Sequence, residues 1–61
     1  MKTGKYRGVD WNVYWQGSNW IVSTWIDTMG VWMTDALPYW IKTRKEAIKM
    51  VRQRINERHG D

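Results

Sequence analysis

The chain contains no cysteine, so no disulfide staples it and no thiolate can ligate a metal. Its single histidine, His59, has no second imidazole to complete a metal site, and no cofactor or metal is expected. Phenylalanine is absent and proline occurs once, at Pro38. No apolar run approaches the ~20 residues of a membrane span, so no membrane partner is expected. The opening MKTGKYRG is basic with no apolar segment behind it, which argues against a signal peptide. Together with the missing cysteines, this makes a cytoplasmic protein the expectation. No serine has a histidine placed to activate it, and Asp10, Asp27 and Asp35 fall at expected strand ends or turns, where aspartate is ordinary. With no acid, base and nucleophile set to name, the chain is not expected to be an enzyme.

What the chain has is tryptophan. Five of its six tryptophans lie between Trp11 and Met33. A 61-residue domain buries little surface, and each buried tryptophan removes roughly 150–250 Å² from water, so tryptophan is expected to supply the bulk of the core. The stretch WNVYWQGSNWIVSTWIDTMGVWM reads as three strands, about 9–16, 20–27 and 31–35. They are joined by turns at Gly17-Ser18-Asn19 and Thr28-Met29-Gly30. Pairing Trp15 with Trp20 sets Val13 opposite Val22 and Trp11 opposite Thr24; pairing Ile26 with Val31 sets Thr24 opposite Met33.

One sheet face then carries Trp11, Val13, Trp15, Trp20, Val22, Ile26, Val31 and Met33 and is expected to face the core. The other carries Asn12, Tyr14, Gln16, Ile21, Ser23, Trp25, Trp32 and Thr34, with Trp25 and Trp32 as cross-strand partners. Residues 1–5 are expected to be a flexible basic tail, and Gly8 to permit a bend before the first strand. Leu37-Pro38-Tyr39-Trp40-Ile41 is too apolar for a free loop, and Trp40 or Ile41 is expected to cover one end of the core.

Thr43-Arg44-Lys45-Glu46 is a capping box, opening a helix from about Arg44 to Arg58 that ends at Gly60. At 100° per residue, Ala47, Ile48, Val51 and Ile55 form the docking stripe. Lys45, Lys49 and Arg52 share one flank. Arg54 and Arg58 lie on the other, near the C-terminus where positive charge is favoured. The expectation is a single small α+β domain over residues 1–61: a three-stranded antiparallel sheet packed against one C-terminal helix, β-β-β-α.

Tyr6-Arg7-Gly8-Val9 with Trp11, the aromatic start of Trp20-Ile21-Val22, and Ile41-Lys42-Thr43-Arg44-Lys45-Glu46-Ala47 together resemble the AP2-type DNA-binding domain. The integrase arm-binding domains share its three-strands-then-helix plan. The resemblance implies a DNA-binding regulatory protein of phage or bacterial type, with Arg7 at the family's first arginine. Asp10, Asn12 and Trp25 stand where that family carries later basic residues, so the outer sheet face carries no cation to neutralise phosphate.

The formal net charge is +4, and the basic residues cluster at the two ends of the chain, with none between Gly8 and Ile41. The candidate nucleic-acid contacts are therefore Lys5, Arg7, Lys45, Lys49 and Arg52, with a solvated helix face as the plain alternative. For Tyr14, Trp25 and Trp32 three readings stand: a face covered by the N-terminal tail or by Tyr39-Trp40, a platform for stacking unpaired bases, or an interface with a protein or a second copy. The expected partner is nucleic acid. The alternative is a protein-binding module, a host-factor inhibitor or a homodimer, using the aromatic outer face.

Overall fold

The computed structural model describes residues 2–59, and its elements run β1 (Lys2–Tyr6), β2 (Val9–Trp15), β3 (Trp20–Ile26), β4 (Val31–Ala36) and α1 (Arg44–Arg58). The strands form one antiparallel meander in the order β1-β2-β3-β4. The sheet is thus four-stranded, which corrects the expectation of three. The added strand is Lys2–Tyr6, taken from the sequence for a tail, and it pairs along β2 from Lys2–Val13 to Tyr6–Val9. Met1, the first residue of that expected tail, and Gly60, the expected helix stop, lie outside the described residues.

Local chemistry explains β1. Tyr6 and Val9 are paired, so Arg7 and Gly8 form a two-residue turn, with φ of 51° and 80°. Positive φ at both positions is the hairpin turn whose twist matches the flanking strands. Gly4 pairs with Trp11, and the indole lies against its bare backbone: a Cβ on Gly4 would stand 2.5 Å from Trp11 Cζ2. The strand is held by what it lacks at Gly4, a feature that strand propensity does not register.

The central register is the one alternation dictates. Trp15 pairs with Trp20, Val13 with Val22, Trp11 with Thr24, Thr24 with Met33, Trp25 with Trp32 and Ile26 with Val31. The capping box is formed: Glu46 N–H donates to Thr43 Oγ1 at 3.2 Å, and Thr43 N–H donates to Glu46 Oε1 at 3.2 Å. The helix lays Ala47, Val51 and Ile55 on β2 and β3, and these residues are fully buried with Trp11, Val13, Val22, Leu37 and Ile41. Ile41 and Leu37 close one end of the core, while Trp40 is exposed.

The core is narrower than the whole inward face. Val31 and Met33 remain 47% and 48% exposed, because one helix spans β2 and β3 and leaves β4 largely bare, and Trp15, the last residue of β2, is 46% exposed. Trp20 is partly buried against the cluster and makes an edge-to-face contact with Trp15 at 5.8 Å. Arg54 and Arg58 extend over that gap, with Arg58 also in the last turn of α1 as expected. Arg54 Nη1 donates to Asp35 Oδ2 at 2.9 Å, and Arg58 Nη2 donates to Thr24 Oγ1 and rests 3.9 Å from Met33 Sδ. Asp35 is therefore an ion-pair partner on the inward face of β4, not only a residue that ends an apolar phase.

Candidate nucleic-acid interface

The four-residue spacing of α1 brings Arg44, Ile48, Arg52 and Asn56 onto one side of the helix, beside Lys45 and Lys49. The β1 hairpin brings Lys2 to the same place, because Lys2, Gly4 and Tyr6 share the face of their partners Val13, Trp11 and Val9. The result is a groove of about 950 Å³ lined by Lys2, Arg44, Lys45, Glu46, Ile48, Lys49, Arg52, Gln53 and Asn56. Five of these side chains are cationic. The one carboxylate, Glu46, is already engaged by the backbone and hydroxyl of Thr43.

Two contacts hold the hairpin end to the helix on this side. The Arg52 guanidinium lies 5.6 Å from the centre of the Tyr6 ring, and Arg7 Nη1 donates to Asn56 Oδ1 at 2.9 Å. Such a cation–aromatic contact contributes about 0.5–1 kcal/mol at an exposed site, enough to bias the Arg52 side chain along the groove wall. Ile48 is the apolar member of the groove lining, set among five cationic side chains whose combined field attracts anions.

Of the five sequence-derived contacts, Lys45, Lys49 and Arg52 come together in this groove, and Arg7 adjoins it through Asn56. Lys5 does not. It lies on the opposite face of β1, with Nζ 3.8 Å from Asp10 Oδ1, and borders a separate depression of about 480 Å³ with Trp25, Asp27, Arg58 and His59. Its position also corrects the expectation of a cation-free outer face, since β1 adds Thr3 and Lys5 to that face.

The outer face is exposed at Trp32 and Thr34, while Ile21 and Ser23 on the same face are buried and Trp25 is partly buried. The N-terminal segment cannot cover it, being a strand of the same sheet, and Tyr39 and Trp40 are exposed and packed edge-to-face on each other at 5.4 Å. Trp25 and Trp32 meet edge-to-face at 5.4 Å, and the Trp25 indole N–H donates to Asp27 Oδ1 at 3.2 Å. Tyr14 is half-buried on the same face, beside the buried Ile21. Ser23 and Thr34 share a cross-strand hydroxyl bond of 2.9 Å.

Lys2 and Arg44 are groove residues that sequence reasoning did not single out. Arg44 was accessible to it, being four and eight residues before Ile48 and Arg52 on the helical wheel. Lys2 was not, because its place depends on the β1 hairpin. Among the described residues no group of three or more His, Cys, Asp or Glu side chains is placed to hold a metal ion. No helix among them is long and apolar enough to cross a membrane. Searches against protein-family models, curated proteins and solved structures found no match to the chain.

Proposed function

We propose that the protein is a small non-enzymatic nucleic-acid-binding module of regulatory type, with duplex DNA as its target and the α1–β1 groove as its phosphate-contacting surface. The observation that carries this reading is the convergence of Lys2, Arg44, Lys45, Lys49 and Arg52 on one groove whose only carboxylate among the described residues, Glu46, is tied up in the helix cap. Each phosphate a cation neutralises releases condensed counterions, so such a cluster gives affinity that falls steeply with salt. The AP2-like segments around Tyr6-Arg7-Gly8-Val9 and Thr43-Arg44-Lys45-Glu46 support a DNA target of phage or bacterial type. The reading moves the main contact from the sheet face to the helix flank. A cytoplasmic location belongs to the proposal, since a nucleic-acid target is met there and a chain without cysteine needs no oxidising compartment.

The test is a fluorescence-anisotropy titration with duplex DNA, single-stranded DNA and RNA over a series of salt concentrations. Lys49→Glu with Arg52→Glu is expected to weaken binding strongly and to flatten the salt dependence. Undetectable binding of the unaltered protein to all three at low salt would overturn the proposal. The Trp25–Trp32 pair, in which Trp32 is exposed and Trp25 partly buried, favours a second reading, in which the outer face docks a protein partner. Under that reading, losing the two indoles abolishes association and the helix substitutions alter mainly its rate.

A further inference from the structure

The two edges of the sheet are built differently. β1 carries Lys2 and Lys5, the kind of charge that blunts an edge against further pairing. β4, Val31-Trp32-Met33-Thr34-Asp35-Ala36, has no lysine, arginine or proline, and Val31, Trp32 and Met33 are each about half exposed. Leu37 N–H donates to Trp20 O at 2.8 Å. Hydrogen-bonded pairs alternate along an antiparallel ladder, so Val31, Met33 and Asp35 direct their backbone groups to β3, and Trp32, Thr34 and Ala36 direct theirs to the open edge.

We infer that β4 pairs with β4 of a second copy of this chain, antiparallel, about a two-fold axis at Thr34, giving a continuous eight-stranded sheet with both helices on one face. The strand is self-complementary in that register. The outward backbone groups of Trp32, Thr34 and Ala36 meet those of Ala36, Thr34 and Trp32 of the second copy, satisfying all three residues on each side. On the outer face the largest side chain lies opposite the smallest, Trp32 against Ala36, and Thr34 meets Thr34, a favourable cross-strand pair.

On the inner face Met33 lies opposite Asp35 of the second copy. Arg58 rests against Met33 Sδ, so its guanidinium is brought to that carboxylate, opposite in charge, while Asp35 keeps its own Arg54. This charge match, repeated by the two-fold axis, identifies the occupant of the edge as a second copy. The pairing joins edges and leaves both aromatic outer faces and both basic grooves accessible.

Sedimentation equilibrium of the unaltered protein, without nucleic acid, is expected to approach twice the 7.4 kDa of one chain as concentration rises from micromolar to millimolar. Thr34→Lys, which sets two like charges opposite each other at the axis, is expected to stay at the single-chain mass. Because the chain has no cysteine, Thr34→Cys gives a direct geometric readout. Residues facing each other in a hydrogen-bonded pair have Cα atoms about 5.5 Å apart, within disulfide reach. Mild oxidation is therefore expected to cross-link Thr34→Cys rapidly, and Thr3→Cys on the β1 edge slowly. A single-chain mass throughout that range, or cross-linking of Thr34→Cys no faster than of Thr3→Cys, overturns the inference.

Discussion

Trp11 packs its indole against the backbone of Gly4, so closely that a single added methyl on Gly4 would overlap Cζ2 at 2.5 Å. This contact joins β1 to the core and thereby places Lys2 beside the helix. Gly4→Ala is expected to destabilise the protein by about 1–3 kcal/mol, the usual cost of overpacking. Chemical denaturation reads this directly; an unchanged midpoint would mean that the indole does not rest on β1.

The helix cap is expected to matter on a smaller scale. Thr43→Ala removes the acceptor for Glu46 N–H and should cost about 1 kcal/mol. The same denaturation experiment measures it, and no loss would place the helix start elsewhere.

The buried stripe and the overhanging arginines separate by magnitude. Ile55 is fully buried in the core, and Ile55→Ala should cost about 2–5 kcal/mol, enough to threaten folding in a domain of this size. Arg54 and Asp35 form an ion pair that is one-third to one-half exposed, and Arg54→Met should change stability by no more than about 1 kcal/mol. A larger loss on removing the ion pair than on truncating Ile55 would contradict the core as described.

The outer tryptophans are expected to contribute to stability rather than to duplex binding. Trp25→Ser with Trp32→Ser removes an edge-to-face pair that contributes about 0.5–1.5 kcal/mol beyond its burial. Affinity for duplex DNA should hold at constant salt, and a loss of affinity for single strands alone would indicate base stacking on this face.

Much of this architecture is legible in the sequence where one physical signal dominates. Alternation from Trp11 to Met33, read with two glycine-containing turns, gives the pairing of Trp15 with Trp20 and of Trp25 with Trp32. Thr43 and Glu46 mark the helix start because capping chemistry is local. Lys2–Tyr6 is not legible in this way. Its residues do not alternate, Lys2, Gly4 and Lys5 are types depleted in strands, its turn uses Arg7 where asparagine or aspartate would be the usual signal, and its support comes from Trp11, seven residues beyond Gly4.

The same limit explains the site. A helical wheel groups Lys45, Lys49 and Arg52, but the wall opposite them is β1. A wheel also gives the direction of Arg54 and Arg58 without showing that β4 lies uncovered beneath them, so their bonds to Asp35 and Thr24 follow from the three-dimensional packing.

The most direct test of the central claim is a map of amide and indole proton shifts, recorded by NMR while a short DNA duplex is added at low salt. Binding in the α1–β1 groove predicts shifts concentrated at Lys2 and along α1 from Arg44 to Asn56. The indole signals of Trp25 and Trp32 should stay in place. Shifts centred on Tyr14, Trp25 and Trp32, with the groove amides unmoved, would contradict the account.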